Sequence, residues 1–267
     1  MTDKAPNFEP DLFDLYEQAA QSPVMQAKFL AALYRDNGGE GETITLGEDF
    51  SAAGAIARAF VDLDPRHRAI CVDCDETPLA RLQEKTGGDE RIKIRCANVM
   101  DIDDPVDTIA VLNFSIGELR TRAELIAYLT HARSRLRHKP GAPGLFVLDI
   151  YGGENALSCG ESDIELRDGV QYVWEQRDAD PLTGRVVNAM RFVFADGRTI
   201  RDAFVYRWRL WAVPELRDAL AEAGFGDVSI YDRLGDAIDS DGDLHPAPIK
   251  SGDELDDNFV VCLAARA

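Results

Sequence analysis

Between residues 43 and 150 short apolar runs alternate with amphipathic stretches, and this rhythm limits the fold of the 267-residue chain more than any other feature. Thr43 to Leu46, Arg68 to Val72, Ile92 to Cys96, Asp107 to Asn113 and Leu145 to Ile150 read as strands. Ala55 to Asp62, Thr77 to Lys85 and Thr121 to Leu136 read as the helices between them. The strand runs show little polar alternation, as expected of strands buried on both faces. Strand, helix and strand in succession imply a doubly wound, mostly parallel α/β sheet with right-handed crossovers.

The flanks complete that plan. Asp11 to Gln21 and Val24 to Asn37 read as amphipathic helices, with Pro10 and Pro23 in first turns and Ser22 as an N-cap. Gly38 and Gly39 stop the second helix. Beyond residue 150 the pattern changes. Val170 to Asp178, Val186 to Phe194 and Thr199 to Trp211 read as three antiparallel strands, separated by the turn signals at 180–184 and 195–197. A helix from Pro214 to Ala223, closed by Gly224, precedes the strands Val228 to Tyr231 and Phe259 to Ala264. The expected organisation is an N-terminal helical cap (1–41), a ligand-binding core (42–160), an inserted antiparallel β-meander acting as a lid (161–213) and a C-terminal completion of a seven-stranded sheet (214–267).

Composition narrows the partners. A formal net charge of −19 repels nucleic-acid phosphates and anionic membranes, and no long run of Lys or Arg offsets it. The expectation is no nucleic-acid and no membrane partner. No stretch reaches the roughly 18 apolar residues of a spanning helix. The opening MTDKAPNFEP lacks the apolar core of a signal peptide, so a cytoplasmic protein is expected. Cys71 and Cys74 form a C-x-x-C, but no second Cys or His pair follows at metal spacing; buried, inert thiols and no metal are expected. The acidic loop at 239–243 lacks calcium-loop spacing and reads as solvated surface.

Ligands of open α/β sheets bind beyond the carboxyl ends of the strands. Acidic and polar residues stand at each such end: Glu48 and Asp49, then Asp73, then Asn98, then Asn113 to Ser115, then Asp149 and Tyr151. A pyrophosphate loop needs backbone N–H groups and little negative charge. Here the first loop carries two carboxylates and lacks G-x-G-x-x-G, which points away from a dinucleotide. A nucleoside with a cationic centre fits better, and S-adenosylmethionine has one.

The stretch from about residue 42 to 153, with its LGEDFSAAG segment (46–54), resembles the Rossmann-like core of class I S-adenosylmethionine-dependent methyltransferases. In the common form of the first motif an acid is followed by three alternating glycines. Glu48 matches the acid and Gly54 the last glycine, with Asp49 between; Phe50 and Ala52 replace the other two, and Phe50 is expected to point away. The resemblance implies that Asp73, with Cys74 beside it, accepts hydrogen bonds from the ribose hydroxyls. It implies that Asn98 meets the adenine amino group, that Val99 packs on the ring, and that Asn113, Phe114 and Ser115 line the transfer site. The residues also admit local roles: Glu48 or Asp49 as helix caps, Asp73 in a surface turn, Ser115 as a capping-box partner of Glu118.

Transfer of a methyl group from a sulfonium is an in-line displacement with a good leaving group, so positioning can suffice and no catalytic triad is expected. The acceptor, a small molecule, is assigned to the lid. Tyr151, Tyr206 and Arg209 are the candidate acceptor contacts, and Tyr16 and Gln21 candidate cofactor contacts from the cap. The arginines Arg177, Arg191, Arg201, Arg207 and Arg209 suggest an anionic substrate group or a subunit interface, such as that of a homodimer. Two other readings stay open: a catalytically silent S-adenosylmethionine-binding or interaction protein, and a nucleotide-dependent oxidoreductase.

Overall fold

The computed structural model describes residues 11–39, 44–139, 141–232, 237–238 and 244–267. Pro10 and the loop 239–243 lie outside the described residues.

The parallel strands are β1 (Thr45–Asp49), β2 (Arg68–Asp73), β3 (Ile92–Cys96), β4 (Thr108–Val111) and β5 (Leu145–Gly153). They pair in parallel as β1 with β2, β2 with β3, β1 with β4 and β4 with β5. The segment expected to act as a lid, called the lid below, follows as β6 (Gly160–Glu165), β7 (Gln171–Asp180), β8 (Arg185–Val193) and β9 (Thr199–Arg209). The chain closes with β10 (Val228–Asp232) and β11 (Asn258–Arg266), and β11 is antiparallel to both β5 and β10. The main sheet therefore runs β10-β11-β5-β4-β1-β2-β3, seven strands in all, and the lid is a separate four-stranded sheet. Strand order reverses between β1 and β4, which fixes where a ligand crevice opens.

Helices cover both faces. The period of two along each strand divides the side chains: in β4, Ala110 faces one core and Ile109 and Val111 the other. The first core takes Phe29, Leu30 and Leu33 of α2 (Pro23–Tyr34), Phe60 of α3 (Ala55–Leu63) and Leu82 of α4 (Glu76–Thr86). The second takes Leu125 and Leu129 of α5 (Arg122–Arg135) and Leu216 and Leu220 of α6 (Val213–Glu222). Thr121 and Glu124 form a capping box at the start of α5, and Gly224 (φ 90°) takes the left-handed turn after α6.

α1 (Leu12–Ala20) is capped by Asp11, whose Oδ1 accepts from the N–H groups of Phe13 and Asp14 at 2.9 and 3.1 Å. Leu15 is buried against Val170, Tyr172, Met190 and Phe192 of the lid. The other side of α1 is held by charge: Glu17 by Arg58 and Lys85, Asp14 by Lys85 and Arg81, and Asp11 by Arg81. α1 thus bridges the lid sheet and the α3–α4 face of the core.

Four expectations need correction. β1 starts two residues later than expected and runs three further, so Glu48 and Asp49 are strand residues and not loop residues. The lid has a fourth strand, β6; its sequence GESDIE is exposed throughout and shows no apolar alternation to reveal it. Ser22 sits at the N-cap of α2 but makes no side-chain cap bond; its own N–H donates to Gln26 Oε1 at 3.2 Å. Cys71 is buried as expected, whereas Cys74 is exposed.

Candidate active site

The turn from β1 into α3 carries the decisive backbone. Phe50, Ala52 and Gly54 have φ of 58°, 45° and 60°, left-handed values that cost a residue with a Cβ about 1–3 kcal/mol each. These are the three alternating positions where glycines were expected, so the chain follows a glycine-shaped path with two side chains in place. Neighbours enforce it. Ala52 N–H donates to Asp73 Oδ2 at 2.8 Å, Ser51 N–H donates to the Val72 carbonyl at 3.0 Å, and the Phe50 ring meets Tyr128 at 5.8 Å. Phe50 does not point away; it lines the cleft.

That cleft has a volume of about 690 Å³ and opens beyond the ends of β1 to β4. This lies within the roughly 300–1,000 Å³ of small-molecule sites. Its floor brings together Ala52, Asp73, Cys74, Asn98, Val99, Asn113 and Ser115, and α1 and the lid roof it with Phe13, Tyr16, Phe204, Tyr206 and Trp208. Asp73 Oδ1 also accepts from Asp75 N–H at 3.0 Å, and Asn98 Oδ1 accepts from Met100 N–H at 2.9 Å. Asp75, Glu118 and Glu124 add three more carboxylates to the wall. Among the described lining residues none is Lys, Arg or His, so the cleft repels phosphate and favours a cation.

Other expected site residues stand behind this wall. Glu48 is buried and accepts from Ala57 N–H of α3 at 2.8 Å, the helix-capping contact. Asp49 is withdrawn into a buried ion pair with Arg135 at 2.8 Å and also accepts from the Tyr128 hydroxyl at 2.7 Å. That pair anchors β1 to α5, and the strand's period of two is the reason: Asp49 faces the opposite side of the sheet from Glu48. Gly54 packs under Leu82, where a Cβ would lie 2.8 Å from its methyl carbons.

Burial pushes the Glu48 carboxyl up to about 8. A folded-state value above the unfolded one gives stability that is complete below the ordinary carboxylate range and lost as pH rises through about 8. The denaturation midpoint of the wild type should therefore lose a contribution between pH 5.5 and 8.5 that Glu48→Gln lacks. Equal losses in urea titrations of the two proteins would refute this.

Asp149, at the end of β5, belongs to the expected strand-end set, but the sequence reading gave it no role. Its Oδ2 and Oδ1 accept from the N–H groups of Asn113 and Phe114 at 3.0 and 2.7 Å. Those residues have φ of 56° and 64°, so one carboxylate holds two strained residues in place. Asn113 Oδ1 also accepts from Gln26 Nε2 at 3.2 Å. Ser115 Oγ donates to the Leu112 carbonyl at 2.9 Å, and Glu118 accepts from Trp208 Nε1 at 2.8 Å, so the capping box expected of that pair does not form.

A second chamber of about 360 Å³ adjoins the cleft, sharing Tyr16, Asn113, Tyr206 and Trp208 with it. Phe114, Tyr151, Tyr172 and Trp174 complete an aromatic enclosure. Tyr206 stacks on Trp208 with centroids 4.3 Å apart. Tyr151 and Tyr206, the candidate acceptor contacts, both line this chamber. Arg209 does not: it pairs with Glu215 at 3.1 Å and lies 3.7 Å over the Trp211 ring. Arg177 and Arg191 share Glu175, and Arg201 and Arg207 are exposed. Arg177 and Arg191 neutralise carboxylates of the lid and Arg209 one of α6, and among the described residues none of the five lines the chamber. Gln21 ends α1 and is absent from either wall among the described residues.

No family model matches the chain, and no curated protein does. Solved structures match along its whole length. An S-adenosylmethionine-dependent methyltransferase from Clostridium acetobutylicum superposes with a TM-score of 0.72 at 14% identity, covering 95% of this chain and 96% of its own. Streptomyces venezuelae DesVI gives 0.69 at 16%, covering 96% and 99%. CalS10, an amino pentose methyltransferase from Micromonospora echinaspora solved with S-adenosylmethionine bound, gives 0.67 at 15%, covering 99% and 100%. The chain has the class I methyltransferase fold. Among the described residues no helix is long and apolar enough to cross a membrane, and no group of His, Cys, Asp and Glu could hold a metal ion.

Proposed function

We propose that this protein is an S-adenosylmethionine-dependent methyltransferase that acts on a small molecule. One observation carries the reading: on a class I methyltransferase fold, the cleft at the reversal of strand order is lined by Asp73, Asp75, Glu118 and Glu124, with no basic side chain among the described lining residues. Such a wall suits a nucleoside bearing positive charge and opposes a pyrophosphate. The donor set fits the group: Asp73 for ribose hydroxyls, Asn98 for an adenine edge, Val99 and Phe50 for a ring face. Glu48 and Gly54 shape the first turn from behind, Cys74 flanks Asp73, and Asn113, Phe114 and Ser115 stand where cleft and chamber meet. The segments 1–41, 42–160, 161–213 and 214–267 then serve as cap, binding core, lid and sheet completion.

When bound, the cofactor supplies a methyl group on a positively charged sulfur that leaves as a neutral thioether. The protein's share is positioning. Asp149 fixes Asn113 and Phe114 between the two cavities, and Tyr16, Tyr206 and Trp208 shut out water from above. Isothermal titration with S-adenosylmethionine and with NAD tests the assignment. The expected result is saturable binding of the first alone; binding of NAD alone would transfer the cleft to an oxidoreductase.

The charge pairs of α1 give the roof a measurable property. Lys85→Ala removes one of the two partners of Asp14 and of Glu17, leaving Arg81 and Arg58. Partly exposed pairs contribute about 0.2–1 kcal/mol each, so cofactor release should quicken several-fold. High salt should reproduce the effect in the wild type, as followed by stopped-flow fluorescence.

A further inference from the structure

Two exposed thiols, Cys74 and Cys96, stand side by side where β2 and β3 end at the cleft. We propose that they form a reversible disulfide, made by exchange with a small organic disulfide, that weakens cofactor binding; the effect on the cofactor rests on the methyltransferase reading above. The register of β2 and β3 sets Asp73 directly opposite Cys96, so Cys74 follows the residue that faces it. Strands about 4.8 Å apart with a rise of about 3.3 Å per residue bring the two Cα atoms to about 6 Å, inside the roughly 7 Å that a disulfide spans. The Cys96 thiol already points at the Cys74 main chain, its Sγ 4.0 Å from the carbonyl oxygen. Cys74 itself lines the cleft. Cys71, the partner that the C-x-x-C spacing suggests, is packed in the first core and does not reach either thiol.

The exchange balances in two steps. The Cys96 thiolate attacks one sulfur of the small disulfide. That S–S bond breaks, a mixed disulfide forms on Cys96, and the departing thiolate takes up a proton equal to the one Cys96 lost. The Cys74 thiolate then attacks Cys96 Sγ and expels the second small thiol, which is protonated in the same way. The two protein sulfurs together give up two electrons, and the small disulfide is reduced to two thiols. Burial first, and then the Asp73 carboxylate, push the Cys74 thiol up, which suits it to the second, intramolecular step. The cleft senses the bond through one short stretch of backbone. Cys74 stands between Asp73 and Asp75, and Asp73 Oδ1 accepts from Asp75 N–H at 3.0 Å. Drawing the Cys74 sulfur from the cleft wall onto Cys96, to a bonded distance of about 2.05 Å, turns that stretch. The Asp73 carboxylate, assigned to the ribose hydroxyls, moves with it.

Oxidised glutathione tests this on the full chain. Intact-mass measurement and peptide mapping should find Cys74 and Cys96 joined, with the loss of two hydrogens. Calorimetric affinity for S-adenosylmethionine should fall at least about tenfold on oxidation and return with dithiothreitol. Cys96→Ser should bind as the reduced wild type does, before and after treatment, because the sulfur that opens the exchange is gone. Cys74→Ser should stop at a glutathione adduct on Cys96, the trapped first step. Cys159→Ser alters the third exposed cysteine and should respond like the wild type. Failure to find the Cys74–Cys96 link, a link that leaves affinity unchanged, or a Cys96→Ser protein as sensitive as the wild type would each overturn the proposal. Absence of S-adenosylmethionine binding by the reduced protein would instead overturn the reading it rests on, and the mapped link would still decide whether the two thiols join.

Discussion

Asp73→Asn should weaken S-adenosylmethionine binding by at least about 100-fold. Hydrogen bonds to an ionised acceptor contribute roughly 1.5–3 kcal/mol each, and two are expected from a ribose; every 1.4 kcal/mol is tenfold. The substitution separates binding from architecture. Asp73 Oδ2 also accepts from Ala52 N–H, and that bond helps hold Ala52 at its left-handed φ. An asparagine oxygen can still accept it, and the amide nitrogen then faces only the exposed Asp75 N–H, so the melting temperature should fall little while calorimetric affinity collapses. Asp73→Ala removes both functions and should lower affinity and melting temperature together. Near-normal affinity in Asp73→Asn would remove Asp73 from the cofactor site.

The largest stability effect is expected inside the protein. Asp49 and Arg135 form an ion pair whose side chains are 0% and 1% exposed. Removal of one partner strands the other charge, at a cost of about 3–5 kcal/mol. For a chain of this size that lowers the melting temperature of Arg135→Met by about 10 °C. The pair is itself incompletely satisfied: Asp49 Oδ1 and Arg135 Nε and Nη2 are buried without partners. The double variant Asp49→Asn/Arg135→Met discards both charges and keeps an acceptor for Tyr128, so it should regain most of the loss. Calorimetric melting of the three proteins decides it. A single variant melting within about 2 °C of the wild type would show that the pair contributes little.

The parallel core was legible because its strands are apolar on both faces and its helices are punctuated by Gly and capping residues. Every core strand and helix forms within a few residues of its expected place. β6 was not legible, since GESDIE carries no burial pattern at all. The end of β1 was misjudged because Glu48 and Asp49 look like loop residues. One caps α3 and the other pairs with Arg135, and neither partner is visible from local spacing. The site divides the same way. Asp73, Asn98, Val99, Asn113 and Ser115 meet in one cleft because each follows a strand of a single sheet. Phe13 and Phe204 come from the cap and the lid, whose docking depends on long-range packing. Asp149 was given no role because it holds backbone, and that shows only when two N–H groups are seen to converge on it. Arg209 misled because abundance of arginine says nothing about which acids lie opposite.

The aromatic chamber sits between two openings. It shares one set of residues with the cleft and another, Tyr151, Ser162, Trp174 and Val260, with a further cavity of about 700 Å³ at the β5–β6 side. A guest held there has a door on either hand. On the proposed methyltransferase reading, spent donor is swapped through the first without evicting what arrived through the second, and one visit then serves for more than one alkylation.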